Sequence, residues 1–153
     1  MKKQLKLLLI SVLTFSCIQL YSQENIFYLS ESNGCISLRV TAYGKKCKDA
    51  IENAEIIAIK KILFLGIPNS KILKQPLIGT NESEIINKNK NNYFYEFFDE
   101  ERYKNFISSC VPITEFKRDI TRKKSITVDI VINIQALRKD LENKEIIPKF
   151  GLF

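Results

Sequence analysis

The sequence predicts an α+β fold: a two-layer domain with a small, mainly antiparallel, three-stranded sheet packed against two longer helices, in the order β-α-α-β-β-α. Three observations lead there. Residues 35–43 alternate strictly, with Ile36, Leu38, Val40 and Ala42 on one face and Ser37, Arg39, Thr41 and Tyr43 on the other. Residues 125–134 repeat the pattern through Ile126, Val128, Ile130, Ile132 and Ile134. Between them Ile51, Ala54, Ala58, Ile62 and Leu65 recur every three or four positions, which is the period of a helix. A chain of 153 residues, 45% hydrophobic and 27% charged, has room for one globular domain around one core.

The first element is an address. Lys2, Lys3 and Lys6 precede the apolar run Leu7 to Phe15, which then gives way to polar residues. This is the order of a secretory leader, and the run falls short of the ~20 residues that a membrane span needs. Cleavage is expected between Ser22 and Gln23, giving a leader over 1–22, an N-terminal extension over 23–34, one domain over 35–147 and a tail over 148–153. Lipid on Cys17 is the alternative exit, although Leu13 stands four residues before it rather than the usual three. Membrane association is expected only through that lipid; otherwise the product is periplasmic or extracellular.

Removing the leader alters the charge. The chain carries 24 Lys and Arg against 17 Asp and Glu, a formal +7, and three of the basic residues leave with the leader, so the balance falls to +4. Few of the remaining cations are Arg, the planar fork that reads phosphates and bases, so no nucleic-acid partner is expected. The chain has no histidine, which excludes Ser-His-Asp and Cys-His catalysis and any imidazole metal ligand. No phosphate-binding loop, dinucleotide fingerprint or nucleophile elbow is present, so no catalytic residue, cofactor or metal is assigned. Cys35, Cys47 and Cys110 remain in a compartment that permits disulfides, where at most one bridge forms within a monomer and spacing does not select the pair.

The domain then reads element by element. The first strand ends at Gly44 and Lys45-Lys46, and the helix that follows has Asp49 and Glu52 near its start and Lys60 and Lys61 near its end, as its dipole favours. Gly66 and Pro68 stop it. Ala50, Ala54 and Ala58 form a small-residue ridge that lets the helix lie close to a sheet. Residues 67–80, punctuated by Pro68, Pro76 and Gly79, read as a loop. Asn81 with Glu84 predicts the second helix, running to about Phe98, whose second half is dense in aromatics (Tyr93, Phe94, Tyr95, Phe97 and Phe98). The Phe residues are spaced to fill a core, a reading favoured over a stacking surface for single-stranded nucleic acid. A strand over 111–120 and a turn at Thr121 to Lys124 lead to the last strand. Leu137 and Leu141 then mark a short helix, and Ile146 and Ile147 cover the sheet edge before Pro148.

The sharpest candidate site is basic. Lys117, Arg118, Arg122, Lys123 and Lys124 surround the predicted hairpin, where they would dock phosphate, lipid headgroups or an acidic protein face, or simply solvate an edge.

The stretch Val40-Thr41-Ala42-Tyr43-Gly44-Lys45, with Asp49-Ala50, Ala54 and Gly66-Ile67, resembles a family of small, uncharacterised secreted envelope proteins of Gram-negative bacteria. Tyr93-Phe94, Phe97-Phe98, Tyr103 to Phe106, and the strand through Val128 and Ile130 leading to Leu137, Arg138, Leu141 and Ile146-Ile147 extend the likeness over most of the mature chain. More distantly, the strand, Gly, Ala-rich helix and terminal hairpin resemble the N-terminal domain of flagellar assembly protein T and related surface lipoproteins. The resemblance implies a shape and an envelope setting rather than an activity, and the more distant one a part in envelope assemblies. An exported single domain without histidine or a catalytic signature is expected to be a non-enzymatic interaction or assembly module, with an envelope protein or surface component as partner.

Overall fold

The computed structural model describes residues 26–79, 92–118 and 122–149. The leader, its cleavage point, Cys17 and the Asn81 capping box lie outside them. The fold is α+β, with a mainly antiparallel sheet packed against helices. Its strands are β1 (Ile26–Ser32), β2 (Cys35–Tyr43), β3 (Ile107–Pro112), β4 (Lys117–Arg118) and β5 (Lys124–Asn133). Their spatial order is β1-β2-β5-β3, and β4 continues beside β5 where β3 leaves off.

The sheet is larger than expected by two strands. Part of the predicted N-terminal extension is β1, which turns into β2 through Asn33-Gly34 and closes with Ser32 opposite Cys35. Both turn residues take positive φ, 50° and 73°, as a tight hairpin requires, and Asn-Gly is the pair best suited to it. A Cβ on Gly34 would also lie 2.3 Å from the Gln135 side chain. The expected strand over 111–120 is divided in two: β3 ends at Pro112, the Ile113 and Thr114 N–H groups both donate to the Thr127 carbonyl, at 2.8 and 3.4 Å, and β4 resumes at Lys117. After it, Thr114 Oγ1 accepts from the Thr127 N–H at 2.9 Å, so a side chain replaces a missing strand bond.

The central strands follow their alternation. Ile36, Leu38, Val40 and Ala42 on β2 oppose Ile132, Ile130, Val128 and Ile126 on β5, and all eight are buried. Helix α1 (Cys47–Lys60) lies across this inner face, with Ala50, Ala54 and Ala58 buried against it. Their small side chains bring the helix backbone close to the strands. Asp49, three residues after the capping Lys46, accepts from the Lys46 N–H at the helix start. The last turn widens into a π-helical stretch, Lys61–Leu65, and stops at Gly66 with φ 78°.

Residues 81–91 of the second predicted helix lie outside the described ones; the remainder is helical through Asp99, close to the expected end at Phe98, with a left-handed Asn92 (φ 54°) before it and a π-helical last turn (Tyr95–Asp99). A left-handed Glu101 and a 3₁₀ turn (Arg102–Phe106) follow. Tyr93, Phe94, Phe97, Tyr103 and Phe106 are buried, and their rings pack in a chain, as with Phe97 and Phe106 at 5.8 Å. Helix α2 (Ile134–Asn143) follows β5 directly; the Asn133 side chain caps the Ala136 N–H, and Ile134, Leu137 and Leu141 are buried.

Candidate functional site

The hairpin end of the sheet gathers cations from three segments. Lys117 and Arg118 form β4 and pair with Ser125 and Lys124 at the start of β5. Arg122 and Lys123 precede that start, and Arg122 holds a left-handed φ of 63°. All five residues of the predicted cluster are exposed. The register adds two more. Tyr43 opposes Ser125, and the Gly44 N–H donates to the Lys124 carbonyl at 3.1 Å, so Lys45 and Lys46 emerge at the same end. Both are exposed.

Two aromatic rings support this end: Lys123 Nζ lies 5.8 Å from the Tyr43 ring and Lys124 Nζ 5.7 Å from the Phe116 ring. Such contacts hold the ammonium groups near the ring faces while both lysines stay exposed. Among the described residues, Lys45, Lys46, Lys117, Arg118 and Arg122 make no ion pair. Of the acids near them in sequence, Asp49 is spent on the helix start, Glu115 is exposed in the β3–β4 connection, and Asp119, next to Arg118, lies outside the described residues. The sequence places Lys45-Lys46 more than seventy positions from the hairpin; only the β2–β5 register brings them together.

The helix side handles charge differently. Arg102 Nη1 donates to both oxygens of Asp140, at 2.9 and 3.0 Å, and the Tyr93 hydroxyl donates to the same carboxylate at 2.8 Å. The guanidinium also lies 4.7 Å from the Tyr93 ring. Burial, reinforced by Asp140, drives the Tyr93 hydroxyl far above its ordinary range. Lys104 bridges Glu101 and Glu52 at 2.7 and 3.3 Å. These contacts join the aromatic segment to α1 and α2.

A polar niche that the sequence did not indicate lies between α1 and β3. The Glu55 carboxyl is raised in pKa, chiefly by burial, with Lys104 opposing. Its Oε2 is buried without a partner. Cys110 bonds to Glu55, and burial together with that acid pushes the thiol up to about 11. A thiol held protonated is a poor nucleophile, so the pair does not form an activated cysteine.

None of the three cysteines forms the bridge that the sequence left open: Cys35, Cys47 and Cys110 are free. Cys35 opposes Asn133 on the outer face, whereas Cys110 opposes Ile130 on the inner face and lies across β5 from it. Cys47 follows the other end of β2. No two are placed to meet the short Cα separation that a disulfide requires.

The outer face of the sheet carries a row through four strands: Phe27, Arg39, Asp129 and Val111. Arg39 binds Asp129 through Nε and Nη2 at 2.8 and 2.9 Å, and Phe27 and Val111 flank the pair in an exposed position. At the Asn33-Gly34 end, a cavity of about 160 Å³ is bounded by Cys35, Ile36, Leu73, Ile134 and Arg138. Glu31 at its rim is already engaged by the Ser70 hydroxyl and the Lys71 N–H. Among the described residues no group of three or more Cys, Asp or Glu is placed to hold a metal, and no helix is long and apolar enough to cross a membrane.

Comparison with protein-family models, curated proteins and solved structures yields no match.

Proposed function

We propose that this protein is an exported, non-enzymatic interaction domain of the cell envelope, and that it docks through the cationic end of its sheet onto an anionic, phosphate-bearing surface. The convergence of Lys45-Lys46 with Lys117, Arg118 and Arg122 to Lys124 carries this reading. Five of the seven cations are Lys. Lys acts as a mobile point charge, which suits a diffuse array of headgroups better than the fixed geometry of a single bidentate site. Each cation near an anionic surface contributes about 1 kcal/mol, so several acting together give a useful, salt-sensitive affinity without a deep pocket. Export rests on the leader-like order of residues 1–22, and the envelope setting on the family resemblance.

The test is co-sedimentation with vesicles. Binding to vesicles containing phosphatidylglycerol is expected to fall steeply with added salt, with little binding to phosphatidylcholine alone. Equal binding to both, or binding indifferent to salt, contradicts the reading.

A protein partner on the outer sheet face is the second reading, favoured by Phe27 and Val111 standing exposed on either side of Arg39–Asp129. Crosslinking in envelope extracts that is lost with Val111→Glu, and unaffected by charge reversal at Lys123 and Lys124, would select it.

A further inference from the structure

The two edges of the sheet are guarded unequally. On one edge Pro112 interrupts β3, and Lys117 and Arg118 charge the strand where it resumes. Proline and lysine on an edge are devices that keep foreign strands away. The other edge, β1, runs Ile26-Phe27-Tyr28-Leu29-Ser30 with neither a proline nor a charged group. Glu31 does not guard it, because that carboxylate is held by Ser70 and Lys71. Phe27 is 60% exposed and Leu29 40%. Leu29 is the extra residue of a bulge between the Tyr28–Leu38 and Ser30–Ser37 pairs.

We propose that this edge is a self-association surface: β1 pairs antiparallel with β1 of a second copy about a twofold axis near Tyr28. A matching strand must itself be an edge, uncharged and apolar over the same short length, and among the described residues β1 meets that requirement for itself. A twofold axis makes the two sides one requirement. Centring on Tyr28 sets Phe27 of each copy beside Leu29 of the other, an apolar cross-strand pair formed twice.

Charge selects the direction. Ile26 lies opposite Val40, toward the cationic end, whereas Ser32 lies at the Asn33-Gly34 turn. Antiparallel pairing therefore sends the two cationic ends to opposite corners of the extended sheet, while parallel pairing would set them side by side. The proposal goes beyond surface docking and stands without it, since the cationic ends remain free. The edge is short and bulged, so the dimer is weak.

The experiment is sedimentation equilibrium of the purified protein from about 1 to about 500 µM, with amide exchange measured at both extremes. A monomer–dimer equilibrium is expected, with exchange at Ile26 to Ser30 slowing as concentration rises. Leu29→Lys is expected to weaken association at least about tenfold, and Val111→Lys, on the opposite edge, to leave it unchanged. Phe27→Lys replaces Leu29→Lys if that variant does not fold. A monomer throughout the range, a dimer indifferent to the β1 lysine, or one weakened equally by Val111→Lys overturns the proposal.

Discussion

The molecule treats positive charge in two opposite ways. On the helix side Arg102 and Lys104 are paired with acids, Asp140, Glu52 and Glu101, and their charged groups lie over aromatic rings. At the hairpin end seven cations stand at the surface, and five of them make no ion pair among the described residues. The difference separates two uses of the same residue types. Where acceptors are built in, the charges fix how segments join; where they are left out, the charges remain available to something else. Substitutions on the helix side are therefore expected to change stability, and those at the hairpin end to change binding.

The largest expected effect is on the helix side. Asp140→Ala removes the acceptor of both Arg102 and Tyr93 while leaving those donors largely covered. It is expected to lower unfolding stability by about 2–3 kcal/mol, less than for a fully buried pair because both charged side chains keep some exposure. Urea denaturation measures this, and vesicle binding of the folded variant is expected to match the parent protein. A stable variant with lost binding would reverse the comparison.

Glu55 sharpens it with a dependence on pH. Its folded pKa lies above the ordinary 4.5, chiefly through burial, so the folded state holds the proton more tightly than the unfolded chain. Its contribution is fully present below that value and is lost as pH rises through the folded pKa. Glu55→Gln keeps an acceptor for Cys110 and removes the buried charge. It is expected to raise the melting temperature at neutral pH, with the advantage shrinking to nothing in acid. An advantage of the same size at both pH values would show that burial of the charge is not its cause.

The thiols make the smallest and quickest comparison. Cys47 is exposed beside the cationic end, whereas Cys110 is half-buried against Glu55. Alkylation of the native protein, followed by peptide mass analysis, is expected to modify Cys47 first and Cys110 last. Mass analysis without reductant is expected to count Cys35, Cys47 and Cys110 as free.

Much of the frame was legible because it depends on short-range period. The alternation of β2 and β5 and the three-and-four spacing of α1 each state which side chains face inward. Strand β1 was legible in principle, through Asn33-Gly34, but its own side chains do not alternate cleanly around the bulge at Leu29. The end of the aromatic helix near Phe98 was legible, whereas the path after it was not, because it depends on a left-handed Glu101 and on Arg102 reaching Asp140, contacts that local sequence does not encode. The candidate site was half legible. Its hairpin cations are neighbours in sequence, while Lys45 and Lys46 join them only through the pairing of β2 with β5.

That junction is the central claim, and the double substitution Lys45→Glu with Lys46→Glu tests it most directly. Both side chains are exposed, so stability is expected to stay within about 0.5 kcal/mol of the parent. Affinity for phosphatidylglycerol vesicles at low salt is expected to fall at least about tenfold, with a shallower salt dependence, as it would for Lys123→Glu with Lys124→Glu. Unchanged vesicle affinity in the folded Lys45/Lys46 variant, alongside a loss for Lys123/Lys124, would contradict a single surface built from three segments.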